Sequence, residues 1–258
     1  MPYPYTKVLV LGATSGIGRV LAERFIAAGS KVVVVGRRQE RLDEFVKNHG
    51  SNKASALNFD LNKLDAIPSF AEVVTRDHPD LDCILYNSGT QEKLDFTKPE
   101  TIDLAAIQQE INLNYVGIIA ITKAFLPFFF KQKTDTTLMF TSSGLAMAPN
   151  LDTPTYCASK AAMHHFLMAI REQLRSTNVS VVELLPPLVG TELHVRVAGE
   201  EGSLKMGIPV DEYADKTIEG IKAGKLEIPV GTSVERYEAI EVPRREYFEK
   251  RTGAKALP

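Results

Sequence analysis

Residues 7–18 read Lys7-Val-Leu-Val-Leu11-Gly12-Ala-Thr-Ser15-Gly16-Ile17-Gly18. The first five residues form an apolar run of strand length, and glycines follow at once. From Gly16 to Ala28 apolar residues recur at helical spacing, and Gly29 ends the pattern. Strand, glycine turn and helix in that order open a β-α-β unit. Glycine reaches backbone angles closed to other residues and lets the chain approach a ligand closely. The start of the following helix offers free N–H groups and a positive dipole end, which suit a pyrophosphate. The spacing Gly-x-x-x-Gly-x-Gly differs from the commoner Gly-x-Gly-x-x-Gly dinucleotide pattern. A glycine-rich turn without a ligand is the alternative. Its position in the β-α-β unit favours a nucleotide cofactor, lined by Gly12, Ser15, Gly16, Ile17 and Gly18.

Downstream, Lys31–Val35 is an unbroken valine run, as expected of a strand covered on both faces of a parallel sheet. It leads into Val35-Gly36-Arg37-Arg38. An acidic residue at this strand end would accept hydrogen bonds from the ribose hydroxyls of NAD, whereas arginine suits a 2′-phosphate. The chain has no acid there, so Arg37 and Arg38 predict NADP(H). The alternative is that both arginines begin a solvated surface helix. Further helices are predicted over 38–48, 64–76, 101–130 and 156–176, and further strands over 54–59, 81–86, 137–141 and 179–185. Repeated β-α-β units predict a single-domain, Rossmann-like α/β fold spanning residues 1–258. Its doubly wound parallel sheet carries helices on both faces. Residues 192–207 lack periodicity and read as a mobile substrate loop. The charged tail, 231–258, is unassigned.

The bulk numbers exclude other classes. Lys and Arg total 30 against 32 Asp and Glu, a net charge of −2, which offers no footprint for nucleic acid. The two cysteines, Cys83 and Cys157, sit in apolar settings and suggest a reducing, cytoplasmic location. No signal-peptide pattern opens the chain. The apolar stretch 117–130, interrupted by Lys123 and Pro127, falls short of a membrane span and reads as a buried or interface helix. His164 and His165 are adjacent, and His49, His78 and His194 are dispersed, so no metal site is expected.

Tyr156 and Lys160 stand four residues apart in Thr155-Tyr-Cys-Ala-Ser-Lys-Ala-Ala. On a helix they share a face. A free phenol has a pKa of about 10, and a neighbouring cation lowers it toward the range of a general acid or base. An amphipathic helix with an incidental lysine is the bland alternative.

In combination these motifs resemble the classical short-chain dehydrogenase/reductase family over residues 7–191, and more loosely to 230. Gly12, Gly16 and Gly18 match its Thr-Gly-x-x-x-Gly-x-Gly, with Leu11 in place of Thr. Asp60 matches the acid near the adenine. Tyr86-Asn87-Ser88-Gly89 matches Asn-Asn-Ala-Gly, keeping Asn87 and Gly89. Asn112, in Ile-Asn-Leu, matches the active-site asparagine. Ser143 lies thirteen residues before Tyr156, the family's usual separation, which favours it over Ser142. Residues 186–191, Pro-Pro-Leu-Val-Gly-Thr, match Pro-Gly-x-Val-x-Thr, with Pro187 for Gly, so the path of the turn holding Val189 and Thr191 is open.

The resemblance implies a site of Asn112, Ser143, Tyr156 and Lys160 that moves hydride between nicotinamide and a carbonyl or secondary alcohol. Ser143 would bond the developing oxyanion, Tyr156 would give the proton, and Lys160 would lower the Tyr156 pKa and bind ribose. Asn112 would hold a relay water, while the backbone of Val189 would orient the carboxamide, with Thr191 nearby. It also implies a homodimer or homotetramer paired through the long helices. Leu145, Met147, Leu151, Leu193, Val195 and Met206 suggest an apolar substrate wall and a hydrophobic small molecule. Two other readings use the same cofactor, an epimerase or isomerase without net redox change and a non-enzymatic NADP sensor.

Overall fold

The valine run closes on the first strand in the computed structural model, which describes residues 3–254 and 256–257, the side chains of 196–198 and 200 excepted. Strand β1 (Lys7–Leu11) pairs in parallel with β2 (Lys31–Gly36) on one side and β4 (Cys83–Tyr86) on the other. Strands β3 (Ala54–Asn58), β5 (Thr136–Thr141), β6 (Val179–Leu185) and β7 (Glu227–Pro229) complete a parallel sheet ordered β3-β2-β1-β4-β5-β6-β7. Successive side chains in a strand face opposite ways, so the apolar runs feed two cores. Val8 and Val10 pack with Phe25 of helix α1 (Gly16–Ala27), Phe45 of α2 (Gln39–His49) and Tyr213. Leu9 and Leu11 pack with Phe70 of α3 (Ile67–Asp77) on the opposite face. That second layer continues through a helical run made of α4 (Leu104–Ile111), a π segment (Asn112–Val116) and α5 (Gly117–Phe129), and through α6 (Pro154–Gln173). Strand order reverses between β1 and β4. Such a switch point opens a crevice at the strands' carboxyl ends.

Two sequence expectations need correction, and the unassigned tail takes a helical form. The run from Leu104 to Phe129 is one continuous helical path, long and apolar enough by composition to cross a membrane. Ile118, Ile121, Phe125 and Phe129 are nevertheless fully buried against the sheet, so it is a core helix. Residues 192–207, expected as a loop, hold a 3-10 turn (Glu192–His194) and helix α7 (Val195–Leu204). Gly199, at φ 70° and ψ 173°, splits α7 into pieces too short to display a period. After α8 (Val210–Lys222), the tail forms α9 (Thr232–Arg236), a π segment (Tyr237–Glu241) and α10 (Val242–Thr252).

The tail is docked by charge. Glu241 is fully buried, lies 2.9 Å from His164 Nε2 as an ion pair, bonds Arg245 at 3.0 Å and also pairs with Arg244. His164 Nδ1 bonds Glu183 Oε2 of β6 at 2.8 Å. Glu227 of β7 bonds Arg171 at 2.6 Å and the Tyr237 hydroxyl at 2.7 Å, and pairs with Arg245. Polar groups therefore supply the buried contacts here, which leaves no apolar stripe to read.

Candidate active site

The cleft at the switch point has a volume of about 660 Å³. Gly12, Ser15, Gly16 and Ile17 form one wall of it. Gly12 has φ 89°, a left-handed conformation that favours glycine, and a Cβ there would meet Ser88 Oγ at 2.5 Å. Gly18 lies behind this wall, where a Cβ would meet Asn87 Nδ2 at 2.7 Å. The glycine spacing thus serves tight packing of the first turn against 87–89 as well as an open helix start. Asn87 Nδ2 donates to Gly12 O at 3.3 Å, and Asn87 Oδ1 is buried without a protein partner.

Arg37 and Arg38 border the cleft at the end of β2 but differ in state. Arg38 bonds Thr14 Oγ1 at 2.7 Å, Ser15 Oγ at 2.7 Å and Glu192 at 2.7 Å, and Arg41 reaches the same carboxylate at 2.6 Å. The two guanidiniums hold the Glu192 carboxyl down at about 2, against a smaller upward pull than they exert together, although burial is its largest single influence. Arg37 is exposed on the cleft rim. Asp60 lines the wall, and its Oδ1 accepts from Asn62 N at 3.0 Å, a local turn of the kind carboxylates make.

Ser143, Tyr156 and Lys160 converge at the other end, all nearly buried. Proline at the start of α6 fits the first helical turn, and the helix carries Tyr156 and Lys160 on its sheet-facing side. Lys160 Nζ donates to Thr141 O at 2.8 Å and lies 5.6 Å from the Tyr156 ring centroid. Burial lowers the Lys160 pKa to about 8. Burial also dominates Tyr156, pushing its phenol above the ordinary value, while a hydrogen bond from Ser143 pulls the other way. No lowering by Lys160 is seen for Tyr156 in this state, where desolvation is the largest influence. Turn 186–191 does reach the cleft despite Pro187. Val189 is held by a bridge to Ile208, and Thr191 packs 3.2 Å from the Cβ position of Gly16.

The expectation for Asn112 needs correction. Its side chain accepts from Gln108 at 3.0 Å on an exposed surface and does not line the cleft. Asn114 is fully buried and also stands behind the cleft wall, but unlike Asn112 it faces Gly89 beside Lys160. Its Nδ2 donates to Thr90 O at 2.9 Å and Ser159 Oγ at 3.1 Å, and its Oδ1 accepts from Thr90 N at 3.0 Å. A Cβ on Gly89 would lie 3.2 Å from Asn114 Oδ1 and 3.8 Å from Lys160 Nζ, so the two groups flank Gly89. The π segment turns Asn114 inward. Tyr86 supports that segment by donating to Leu113 O at 2.7 Å, and a Cβ on Gly117 would meet its hydroxyl at 2.6 Å. Tyr86→Phe strands this buried carbonyl and should cost about 1–3 kcal/mol, measured by urea unfolding. An unshifted midpoint would mean that the carbonyl finds another partner.

Sequence reasoning also missed Gln91, His194, Thr232 and Arg236, all on the cleft wall. His194 Nδ1 lies 3.2 Å from Gln91 Oε1, joining the 192–194 turn to the loop after β4, and burial lowers its pKa. Of the expected apolar wall, Leu145, Leu193 and Val195 line the cleft, whereas Met147, Leu151 and Met206 do not.

The family description "short chain dehydrogenase" matches residues 6–201. The chain is 34% identical over 222 residues to the uncharacterized oxidoreductase DltE of Bacillus subtilis, covering 86% of each. It is 30% identical to the NADP-dependent 3-hydroxy acid dehydrogenase YdfG of Shigella flexneri, over 76% of this chain and 78% of that one. A short-chain dehydrogenase from Sphingobium yanoikuyae, solved with NADPH, superposes with a TM-score of 0.82 at 26% identity, over 97% of this chain and 98% of the other. This chain belongs to the short-chain dehydrogenase family.

Proposed function

We propose that the protein is an NADP(H)-dependent oxidoreductase interconverting a small carbonyl compound and its alcohol. The observation that carries this reading is the meeting of Ser143, Tyr156 and Lys160 at one end of a cleft whose other end is a glycine turn and an open arginine. The residues fit a dinucleotide phosphate. The α1 start faces the cleft, Arg37 marks a place for a 2′-phosphate, and the unpartnered Asn87 Oδ1 can accept from a ligand. When bound, that cofactor supplies or accepts the hydride.

The chain's own groups handle the oxygen. The Ser143 hydroxyl donates to the carbonyl oxygen as its charge grows. Tyr156, kept neutral by burial, holds a proton at its Oη and gives it to that oxygen. Lys160 stabilises the phenolate left behind. Asn114, rather than Asn112, takes the asparagine position and ties the Thr90 loop to α6 at Ser159. The secondary alcohol of a 3-hydroxy acid, the substrate named for the Shigella relative, falls within the class this chemistry serves.

The test is consumption of NADPH and NADH against a panel of ketones and aldehydes, with product identified. Carbonyl-dependent NADPH oxidation supports the reading. Product formed without net NADPH oxidation would favour an isomerase, and cofactor binding without turnover of any carbonyl would defeat the reductase reading. Arg37→Gln should raise the KM for NADPH by roughly 10-fold, the loss of a charged hydrogen bond, and leave NADH kinetics unchanged. An unaltered KM would remove Arg37 from phosphate recognition.

A further inference from the structure

Beyond Ser143 the cleft holds a cation for which hydride transfer has no use. Arg236 ends α9, is half-buried and lines the cleft. Its Nη1 lies 3.1 Å from the position a Cβ on Gly144 would take, directly beside Ser143. Among the described residues no hydrogen bond or ion pair engages its guanidinium. Other arginines of this region are neutralised. Arg38 and Arg41 share Glu192, Arg244 and Arg245 share Glu241, and Arg171 bonds Glu227. The carboxylates on the cleft wall are Asp60 and Glu192, both at the β2–β3 side. Leu145, Asn150, Leu193, His194 and Thr232 line the same cleft as Arg236.

An unpaired guanidinium partly withdrawn from water is costly unless an anion arrives. Its planar fork matches a carboxylate. We propose that Arg236 determines substrate specificity by binding the carboxylate of a short-chain 3-oxo or 3-hydroxy acid whose reacting oxygen lies between Ser143 and Tyr156. This rests on the carbonyl-reduction reading above. Residues 143 and 144 are neighbours, with Cα atoms about 3.8 Å apart, so the two contacts call for a short spacer between carbonyl and carboxylate. In the reaction, hydride adds to the carbonyl carbon and the Tyr156 proton to its oxygen. The carboxylate keeps its charge throughout, so Arg236 acts on binding and orientation.

The test compares acetoacetate with methyl acetoacetate, which carry the same ketone but differ in charge, using wild type, Arg236→Gln and Arg236→Lys. Expected is a wild type that prefers acetoacetate. The Gln variant raises the KM for acetoacetate by roughly 10- to 100-fold, the loss of a charge-assisted pair. It leaves methyl acetoacetate kinetics, the KM for NADPH and the melting temperature unchanged, and Lys recovers part of the loss. Equal effects on acid and ester, or a raised KM for NADPH, would overturn the proposal by assigning Arg236 to structure or cofactor. Reduction of the ester with refusal of the acid by wild type would overturn it and leave the reductase reading standing. Refusal of both, with NADPH binding intact by fluorescence, would sink the proposal together with the reductase reading for this ketone class.

Discussion

Tyr156→Phe lowers kcat for carbonyl reduction by roughly 10²- to 10⁴-fold, the usual contribution of a positioned general acid. Only the hydroxyl is lost, and the ring keeps its packing because Tyr156 is already almost wholly buried. Ser143 loses one partner but its oxygen still accepts from Leu145 N at 3.1 Å. Stability should therefore change by only about 1 kcal/mol, and the KM for NADPH should hold. Stopped-flow kinetics with thermal melting separate these quantities. The pH profile adds a second check. Burial holds the Lys160 pKa near 8, so its charge fades as pH rises through that value. The capacity of Lys160 to stabilise a Tyr156 phenolate fades with it, and wild-type reduction should decline on that alkaline limb. A Phe variant with near-wild-type kcat would remove Tyr156 as proton donor and assign the proton to another group.

The sheet was legible because its strands are buried on both faces. The valine run of β2 and the apolar runs of β1 and β6 could be read within a residue of their ends, because glycine or proline closes each one. Tyr156 and Lys160 were legible through their spacing on a helix, and Ser143 through its thirteen-residue separation from Tyr156, which the family resemblance picked out. Asn112 was misread for a physical reason. Residues two apart on an ordinary helix point to nearly opposite sides, and the π segment that selects Asn114 has no periodic signature. The usable signal was Gly117, a glycine inside an apolar helix, which marks the close pass of Tyr86. Arg236 lay hidden because the tail carrying it is held by ion pairs. The corresponding hint was Glu183, a lone acid inside a mostly apolar strand, which demanded a buried partner.

That partner network sets the second large effect. Glu241→Gln preserves shape but removes the carboxylate that His164, Arg244 and Arg245 share. His164 keeps Glu183 and Arg245 keeps Glu227, so the loss is that of charge-assisted hydrogen bonds, about 1.5–3 kcal/mol, which corresponds to a melting temperature roughly 3–12 °C lower for a chain of this size. The pH dependence fixes the sign. Despite the opposing cost of burial, Glu183 and Glu241 together raise the His164 pKa to about 10, from an ordinary 6.5. A raised folded pKa contributes stability that is complete below pH 6.5 and lost as pH climbs through 10. The His164 contacts also lower the pKa values of Glu183 and Glu241, so their contribution fades instead on the acid side, as pH falls below the ordinary 4.5. Lys160 works against His164, gaining stability between about 8 and its ordinary 10.5, but wild type and variant share it and the term cancels in their difference. The melting-temperature gap between wild type and Glu241→Gln should thus be widest near neutral pH and narrow toward pH 10, as wild type loses the His164 proton that Glu241 stabilises. A gap absent at neutral pH would show that the ion pairs do not hold the tail. A gap constant across the alkaline range would show that Arg244 and Arg245, rather than His164, are what Glu241 serves.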